Sequence, residues 1–162
     1  MSKLNRSALV HYIKPIAGEL GSTYHLIGKD IDEMSMEMNG SFETKKNILG
    51  ETSVTDTGYS PSMSVTPYYA DPSESIYQFM LDLTMNRKSG DDAKAKLLEI
   101  VIEDPKAESH KAWEEDCVVE IVSYGGNTEG LAIPYNIHPN GNRREGTVTI
   151  VDKVPTFTPT EG

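Results

Sequence analysis

The stretch that decides the fold is residues 113–124, Trp113-Glu114-Glu115-Asp116-Cys117-Val118-Val119-Glu120-Ile121-Val122-Ser123-Tyr124. Its β-branched residues predict one long strand, and the glycines that follow predict a turn. Residues 131–138 alternate apolar and polar side chains, which predicts a second strand. Pro139-Asn140-Gly141-Asn142 then favours a hairpin turn, because Asn-Gly accommodates positive φ at both central positions. A returning strand is predicted over residues 147–151.

One helix is predicted upstream of these strands, over residues 72–86. Asp71 is a favourable N-cap, Pro72 suits the first helical position, and Glu74 completes a capping pattern. Helical spacing then places four apolar residues on one face, which we predict to pack against a sheet: Ile76, Phe79, Met80 and Leu83. Residues 97–103 are apolar and β-branched and predict a further strand. The predicted class is mainly β with one α-helix.

The region before the helix combines a methionine-rich strand with a long polar stretch. Residues 33–39 alternate, so three methionines share one face while Glu33 and Glu37 share the other. Residues 40–67 are rich in Ser, Thr, Gly and charged side chains and show little helical periodicity. A stretch of this length without a clear element is uncommon in a compact domain and is typical of a functional or a disordered segment. We interpret it as a long, partly ordered, hairpin-like loop.

These patterns predict a single domain with two extensions. Residues 1–20, interrupted by proline and glycine, are interpreted as an N-terminal arm. Residues 21–154 form the predicted β-domain, and residues 155–162, rich in Pro and Thr, are interpreted as a C-terminal tail. The full length of 162 residues fits one domain with its own core.

Composition excludes several classes of function. The formal net charge is −10, whereas a nucleic-acid reader needs cations that displace counterions from phosphates. Tight DNA binding is therefore not expected. The sequence contains no window of about 18 consecutive apolar residues, so no membrane span is expected. The first ten residues also lack the apolar region of a signal peptide.

No pattern of catalytic or metal-binding residues emerges. The four histidines lack metal-ligand spacing: His11, His25, His110 and His138. Cys117 is the only cysteine and lies in an apolar run, which indicates a buried, inert thiol. The glycines at 125–130 lie between two predicted strands, not before a helix as a phosphate loop requires. Residues 114–116 are all acidic, but neighbours on a strand point to opposite faces. We therefore predict no enzyme, no cofactor and no metal.

The order of the predicted elements and several local stretches form a recognisable pattern. The stretches are Asn47-Ile48-Leu49-Gly50-Glu51-Thr52-Ser53, Val65-Thr66-Pro67-Tyr68-Tyr69-Ala70-Asp71, residues 113–121 with 124–128, and residues 140–148. Together they span roughly residues 45–157. The pattern resembles the tail tube (major tail) proteins of long-tailed bacteriophages, prophages and phage-derived tailocins.

This resemblance implies a fold and a mode of assembly. The expected fold is a β-sandwich or partial barrel with a flanking helix and a long loop. Subunits of such tubes form hexameric rings that stack, and joining strands across subunits consumes free sheet edges. On this basis the loop of residues 40–67 bridges successive rings. The candidate inter-ring residues are Asn47, Ile48, Leu49, Gly50, Glu51, Tyr59 and Met63.

The resemblance also gives the negative charge a possible role. A lumen lined by carboxylates repels phosphate, so DNA passes without specific binding. The candidate lumen-lining residues are Glu33, Glu37, Asp116 and Glu120. The expected partners are the chain itself and the tape-measure, tail-terminator and baseplate proteins, with no membrane. The expected location is the virion tail, assembled in the cytoplasm of the bacterial host.

Three alternatives remain open from the sequence. The first is a tube subunit of a tailocin or of a secretion-type injection machine, which shares the fold but need not carry DNA. The second is a soluble β-domain that binds a small ligand or a partner protein. The third is a hydrolase that uses carboxylates, for which the residues supply no positive sign.

Overall fold

The computed structural model describes residues 3–16, 23–28, 31, 33–66 and 68–160. Within these ranges one α-helix, α1 (Tyr77–Met85), accompanies short 3-10 helices at Arg6–Ala8 and Gly90–Ala93. The strands are β1 (Leu9–Pro15), β2 (His25–Ile27), β3 (Met36–Glu37), β4 (Ser41–Lys46), β5 (Thr52–Gly58), β6 (Ser62–Val65), β7 (Lys94–Val101), β8 (His110–Ile121), β9 (Gly125–Asn127), β10 (Gly130–Ala132), β11 (Tyr135–Pro139), β12 (Arg144–Val151) and β13 (Val154–Pro159). The predicted class, mainly β with one helix, is confirmed.

Strand β8 organises the main sheet. The sheet runs in the order β2-β1-β7-β8-β11-β6-β3, and β12 and β13 branch from it. One edge of β8 pairs with β7, while the other edge pairs with β12 through residues 110–114 and with β11 through residues 117–121. A strand of 12 residues is long enough to hold two partners in succession along one edge. The observed strand begins three residues before the predicted one.

The predicted hairpin turn at residues 139–142 is wrong. Strands β11 and β12 do not pair with each other but follow β8 one after the other. Between them the chain bulges around Asp116, whose backbone N–H donates to the carbonyl of Gly141 and whose carbonyl accepts from the N–H of Asn140. Gly141 and Asn142, and not Asn140 with Gly141 as predicted, have positive φ values, of 91° and 55°, and they form a bulge here.

Helix α1 covers one face of the main sheet. Its apolar stripe is buried, with Ile76, Phe79, Met80 and Leu83 at 5% exposure or less. They pack in one cluster with side chains from seven strands of the sheet. The helix begins at Tyr77, five residues later than predicted. Asp71 accepts hydrogen bonds from the backbone N–H and the hydroxyl of Ser73, and such local side-chain bonds favour a turn over a helix.

The β12–β13 hairpin covers part of the opposite face. Val148 of β12 is fully buried against Tyr12, Leu98, Ile100 and Ala112, which lie on β1, β7 and β8. The sheet is thus covered by the helix on one face and by its own last hairpin on part of the other. This arrangement is the expected partial barrel with a flanking helix.

Both predicted extensions contain strands of the fold. Residues 9–15 of the predicted arm form β1, which lies between β2 and β7. Its residues His11, Tyr12 and Ile13 are buried in succession because both faces are covered, which removes the alternation by which a strand is recognised. Residues 155–159 of the predicted tail belong to β13, paired with β12. Residues 1–2, 17–20 and 161–162 of these two segments, and residue 67 of the predicted loop, lie outside the described residues.

The methionine-rich strand is shorter than predicted. Only Met36 and Glu37 form β3, paired with Met63 and Ser62 of β6. Met34 is buried and Met36 packs against the same core, whereas Met38 is half exposed. The predicted methionine face therefore contacts the core through its first two residues.

Candidate assembly surfaces

The β4–β5 hairpin projects from the domain as a separate two-stranded sheet. It occupies most of the predicted long loop. Every residue from Asn39 to Thr57 is exposed to solvent, so neither face of the hairpin packs on the described part of the subunit. An isolated two-stranded hairpin is at best marginally stable in water. The hairpin therefore offers two free faces and a tip to another surface.

Asn47 gives the tip of this hairpin a defined shape. Its side-chain Oδ1 accepts hydrogen bonds from the backbone N–H groups of Leu49 (2.9 Å) and Glu51 (3.0 Å). Two backbone bonds, from Asn47 to Glu51 and from Gly50 to Asn47, close the turn. Gly50 adopts a φ of 82°, where a residue with a Cβ is strained. Four hydrogen bonds thus order a five-residue turn before any partner binds.

The tip displays apolar side chains that the subunit itself does not cover. Ile48 is 102% exposed and Leu49 is 77% exposed. Single exposed apolar residues are common, whereas these two adjacent ones form a small exposed apolar patch on an ordered turn.

The two faces of the hairpin differ in chemistry. The register places Phe42 opposite Asp56 and Thr44 opposite Val54 on one face. Phe42 and Val54 are 62% and 65% exposed. The other face carries Glu43 and Lys45, paired with Thr55 and Ser53. We call the face with Phe42 and Val54 the apolar hairpin face.

Two inter-ring candidates lie at the base of the loop, and only one of them is on the surface. Tyr59 is 59% exposed. Met63 is fully buried in β6, opposite Ile137 of β11 and in the core beneath α1. The assignment of Met63 to an inter-ring surface is therefore wrong. The alternation of residues 62–65, with Met63 and Val65 on one face, carries the signal that they form a strand of the main sheet.

The register of the main sheet places two of the lumen candidates on one face. Residues directly opposite in an antiparallel pair share a face, as do residues two apart on one strand. Glu37 lies opposite Ser62, Ser64 lies opposite Asn136, and Asn136 lies opposite Glu120. Glu37 and Glu120 therefore share the face of the sheet that α1 does not cover. We call it the polar face.

A third candidate and three lysines belong to the same polar face. Asp116 lies four residues before Glu120 on β8 and opposite Lys96 of β7, with 3.0 Å between Nζ and Oδ1. Lys14 lies opposite Lys96, and Lys94 lies two residues before it. Glu33 is exposed but precedes β3, so no strand pairing places it on this face. The polar face is thus mixed in charge: carboxylates predominate towards β3, and lysines lie on β7 and β1.

Hydrogen bonds hold two of these carboxyl groups in the ionised form. Asn136 and His138 each contact Glu120 Oε1 at 3.0 Å, and the bonds from His138 and Asn136 lower the pKa of Glu120. Bonds from Asn142 and Lys96 lower the pKa of Asp116 in the same way. Both carboxylates therefore stay charged at neutral pH.

A charged cluster that the sequence analysis did not find lies on the helix-covered face, beyond the apolar core. Arg143 donates hydrogen bonds to Glu99 and Glu115 and lies 5.9 Å from the ring centroid of Trp113. Burial acts to raise the pKa of Glu99, but hydrogen bonds from His11 and Arg143 outweigh it, and the pKa is lowered. Burial raises the pKa of Glu115. The cluster ties the bulge between β11 and β12 to β7 and β8.

The part of the chain that the structure describes contains neither a metal-binding cluster nor a membrane-spanning helix. No group of three or more His, Cys, Asp or Glu side chains is arranged to hold a metal ion there. None of its helices has the length and apolar character needed to span a bilayer. Cys117 is buried, and burial raises the pKa of its thiol to about 12, as expected of an inert thiol.

The curled antiparallel sheet with one flanking helix is the fold of a phage tail tube protein. One solved structure with this fold is the SPP1 tail tube, determined by solid-state NMR and cryo-EM. It matches with 13% identity and a TM-score of 0.63 over 93% of this chain and 82% of that chain. Another is the anti-feeding prophage cap, which terminates the AFP tube, with 9% identity and a TM-score of 0.52 over 91% and 93% of the two chains. No protein-family model and no curated protein matches the chain.

Proposed function

We propose that this chain is a structural subunit of a phage tail tube, in which hexameric rings stack and enclose a conduit for DNA. The observation that carries the proposal is the ordered hairpin β4–β5, fully exposed on both faces, on a domain with the tail tube fold. Neither face of this projection packs on the described part of its own subunit. A subunit that stacks needs such a projection, because each ring must contact the next.

The hairpin tip supplies the contact between rings in this proposal. Ile48 and Leu49 lose their exposed apolar surface on the neighbouring ring, and the apolar hairpin face with Phe42 and Val54 extends that contact. Burial of apolar side chains is the main favourable term in protein association. The turn is already ordered by Asn47, so little conformational entropy is lost when it docks.

The polar face lines the conduit in this proposal. With six chains of −10 each, a ring carries six times that charge, or −60, and its field repels phosphate. Glu37 and Glu120 are the exposed carboxylates of this face. Lys96 is paired with Asp116, which limits its attraction for phosphate. Such a surface lets DNA slide without binding.

The proposed partners and location follow from this role. The chain binds copies of itself within a ring and between rings. At its ends the tube meets tail-terminator and baseplate proteins, and a tape-measure protein occupies the lumen before DNA does. The tube assembles in the cytoplasm of the bacterial host and becomes part of the virion tail. A structural role of this kind requires no catalytic activity.

A related role in a machine without DNA is the second candidate. It is favoured by the likeness to a prophage cap that terminates a tube. A tailocin or secretion-type tube uses the same ring stacking but carries no genome. Particles purified from the source bacterium separate the two: DNA protected from nuclease inside tailed particles supports a phage tail, and DNA-free particles support the alternative.

Electron microscopy of a hairpin-shortened variant tests the proposal. Ser41 and Gly58 lie directly opposite each other, so residues 42–57 can be replaced by a two-residue Asn-Gly turn. We expect wild-type protein to form tubes of uniform diameter at high concentration, and the variant to stay folded without elongating. A matched control replaces only Glu43 and Lys45 by serine and should form normal tubes. A wild-type protein that stays monomeric, or a shortened variant with tubes of normal length, would contradict the proposal.

A further inference from the structure

Strand β13 ends the β12–β13 branch of the main sheet with one bare edge. It pairs with β12 across all six residues, and its other side meets no further strand among the described residues. A bare edge normally offers a row of N–H and C=O groups to which another strand can add. Whether β13 can accept such a strand depends on the direction of its N–H groups.

The hydrogen bonds of β12 and β13 fix that direction. The N–H of Thr160 donates to the carbonyl of Glu145 at 2.8 Å. Hydrogen-bonded pairs alternate along an antiparallel ladder, so the next such pair is Thr158 with Thr147, followed by residues 156 and 154 with their partners. The backbone N–H positions of residues 155, 157 and 159 therefore point away from β12, towards the bare edge.

Two of these three outward positions are prolines. Pro155 and Pro159 have no backbone N–H, so Phe157 carries the one remaining donor on this edge of β13. The carbonyl groups of an added strand would therefore find no N–H donor at Pro155 or at Pro159, on either side of Phe157. Proline on an edge strand is a recognised way to prevent strand addition.

The two ends of the main path are not blocked in this way. The N–H of Ile16 donates to the carbonyl of Lys94, and the N–H of Ile102 donates to the carbonyl of Ala8. The even-numbered residues of β1 therefore direct their backbone groups towards β7, and the odd-numbered ones towards β2. Alternation then directs the N–H of Leu26 on β2 outward.

The same reasoning applies to β3. The N–H of Val122 donates to the carbonyl of Pro134, and this bond fixes which residues of β8, β11 and β6 direct their backbone groups to each neighbouring strand. Met36 therefore directs its N–H away from β6. Neither Leu26 nor Met36 is a proline, so the outward position of each of these short strands keeps its N–H donor, whereas β13 lacks two of its three.

We infer that β13 is a terminating strand whose prolines prevent pairing with a strand from a second copy of this chain. Copies of the chain then join their sheets at the β2 or β3 edge. The second half of this inference rests on the proposed ring assembly, whereas the first half concerns β13 itself. The prolines thereby leave the β2 and β3 edges for lateral association between neighbours.

Amide exchange resolved by residue tests the inference in the wild-type protein. We expect the Phe157 amide to exchange as fast in the assembled protein as in the monomer. The Leu26 or Met36 amide should become at least about tenfold slower on assembly, because it gains a partner. Protection of Phe157 on assembly, or unchanged exchange at both Leu26 and Met36, would overturn the inference.

A variant that restores the missing donors gives an independent test. Pro155→Val keeps an apolar side chain at a buried position, and Pro159→Thr changes an exposed one. We expect the double variant to form irregular, laterally associated aggregates at concentrations where wild-type protein stays dispersed. Unchanged association of a folded double variant would refute the blocking role.

Controls separate this inference from the proposed function. Pro159→Thr alone serves if the double variant fails to fold, since its side chain is exposed, and it should show the same aggregation more weakly. Pro105→Thr, in an exposed turn, should behave like wild type. If wild-type protein forms no tubes, the proposed function fails. The aggregation of the proline variants still decides the role of β13, and wild-type behaviour of Pro159→Thr would count against it.

Discussion

Truncating the hairpin tip should separate assembly from folding. Ile48 and Leu49 are 102% and 77% exposed in the subunit, so the double substitution to alanine should change its stability by no more than about 0.5 kcal/mol. The proposed contact between rings buries both side chains, and burial of such a side chain contributes about 1.5–3 kcal/mol. At the lower end, two residues remove about 3 kcal/mol from each contact between rings. Because about 1.4 kcal/mol corresponds to a factor of ten, the critical concentration should rise about a hundredfold.

The reverse result is expected for Met63→Ala. Met63 is fully buried beneath α1, so this substitution should destabilise the subunit by about 2–5 kcal/mol. It leaves the hairpin tip unchanged, so the protein that remains folded should assemble at the wild-type concentration. Urea unfolding followed by circular dichroism gives the stability, and sedimentation of assembled protein gives the critical concentration.

A control on the opposite hairpin face completes the design. Glu43→Ala with Lys45→Ala changes two exposed side chains of the same hairpin and should shift neither quantity. The reasoning is refuted if the Ile48/Leu49 variant assembles at the wild-type concentration. It is equally refuted if that variant loses subunit stability to the extent that Met63→Ala does.

Three further substitutions test the subunit itself. Gly146→Ala should lower the free energy of unfolding, measured by thermal unfolding, by about 1–3 kcal/mol, because its Cβ would lie 2.3 Å from the carbonyl oxygen of Thr158. Unchanged stability would contradict this and show that β13 moves to accommodate the methyl group. Arg143→Met should lower the free energy of unfolding by about 1–3 kcal/mol, since it removes the Arg143 guanidinium from Glu99, which is 12% exposed, while Arg143 itself is 43% exposed. The pKa of Glu99 in the folded protein is lowered from its ordinary value of 4.5. Ionised Glu99 therefore stabilises the folded protein above pH 4.5, and this stabilisation is lost as the pH falls. The variant should lose part of this dependence on pH. Asn47→Ala should speed amide exchange at the tip, while Asn47→Asp should preserve the slow exchange.

The helix stripe could be predicted from sequence because local spacing determines it. Ile76, Phe79 and Met80 recur at helical intervals whatever the sheet does, and all three are buried. The start of the helix could not be predicted as well, because Asp71 can cap a helix or close a turn with Ser73. Both uses employ the same carboxylate, and the choice depends on packing beyond the local sequence.

Strands buried on both faces were harder to predict than half-buried ones. β1 shows no alternation because its two faces enter different cores, with Ile13 in one and Tyr12 in the other. Positive φ was predicted at Asn140 and Gly141 but occurs at Gly141 and Asn142, and the strand that follows pairs with β8 because β8 is unusually long. Turn chemistry specifies a local conformation but not which strands it connects.

The composition of the polar face depended on long-range register. Alternation along β8 predicted that Asp116 and Glu120 share a face, and the structure places both there. The lysines opposite them come from β7 and β1, far away in sequence, so the net acidity of the chain did not predict the mixed charge of this face. Local charge patterns describe one strand, whereas a surface is assembled from several.

The position of β1 has a consequence for synthesis on the ribosome. β1 is the first strand of the described chain, yet it needs residues 95–101 of β7 as its central partner. At about 5–20 residues per second, an apolar strand with Val10, Tyr12 and Ile13 waits for several seconds without that partner. Pairing over so long a sequence separation also slows folding once the chain is complete. During this interval β1 has, among the described strands, only the three residues of β2 to pair with, and the β4–β5 hairpin is also synthesised before the strand that completes the sheet around β1.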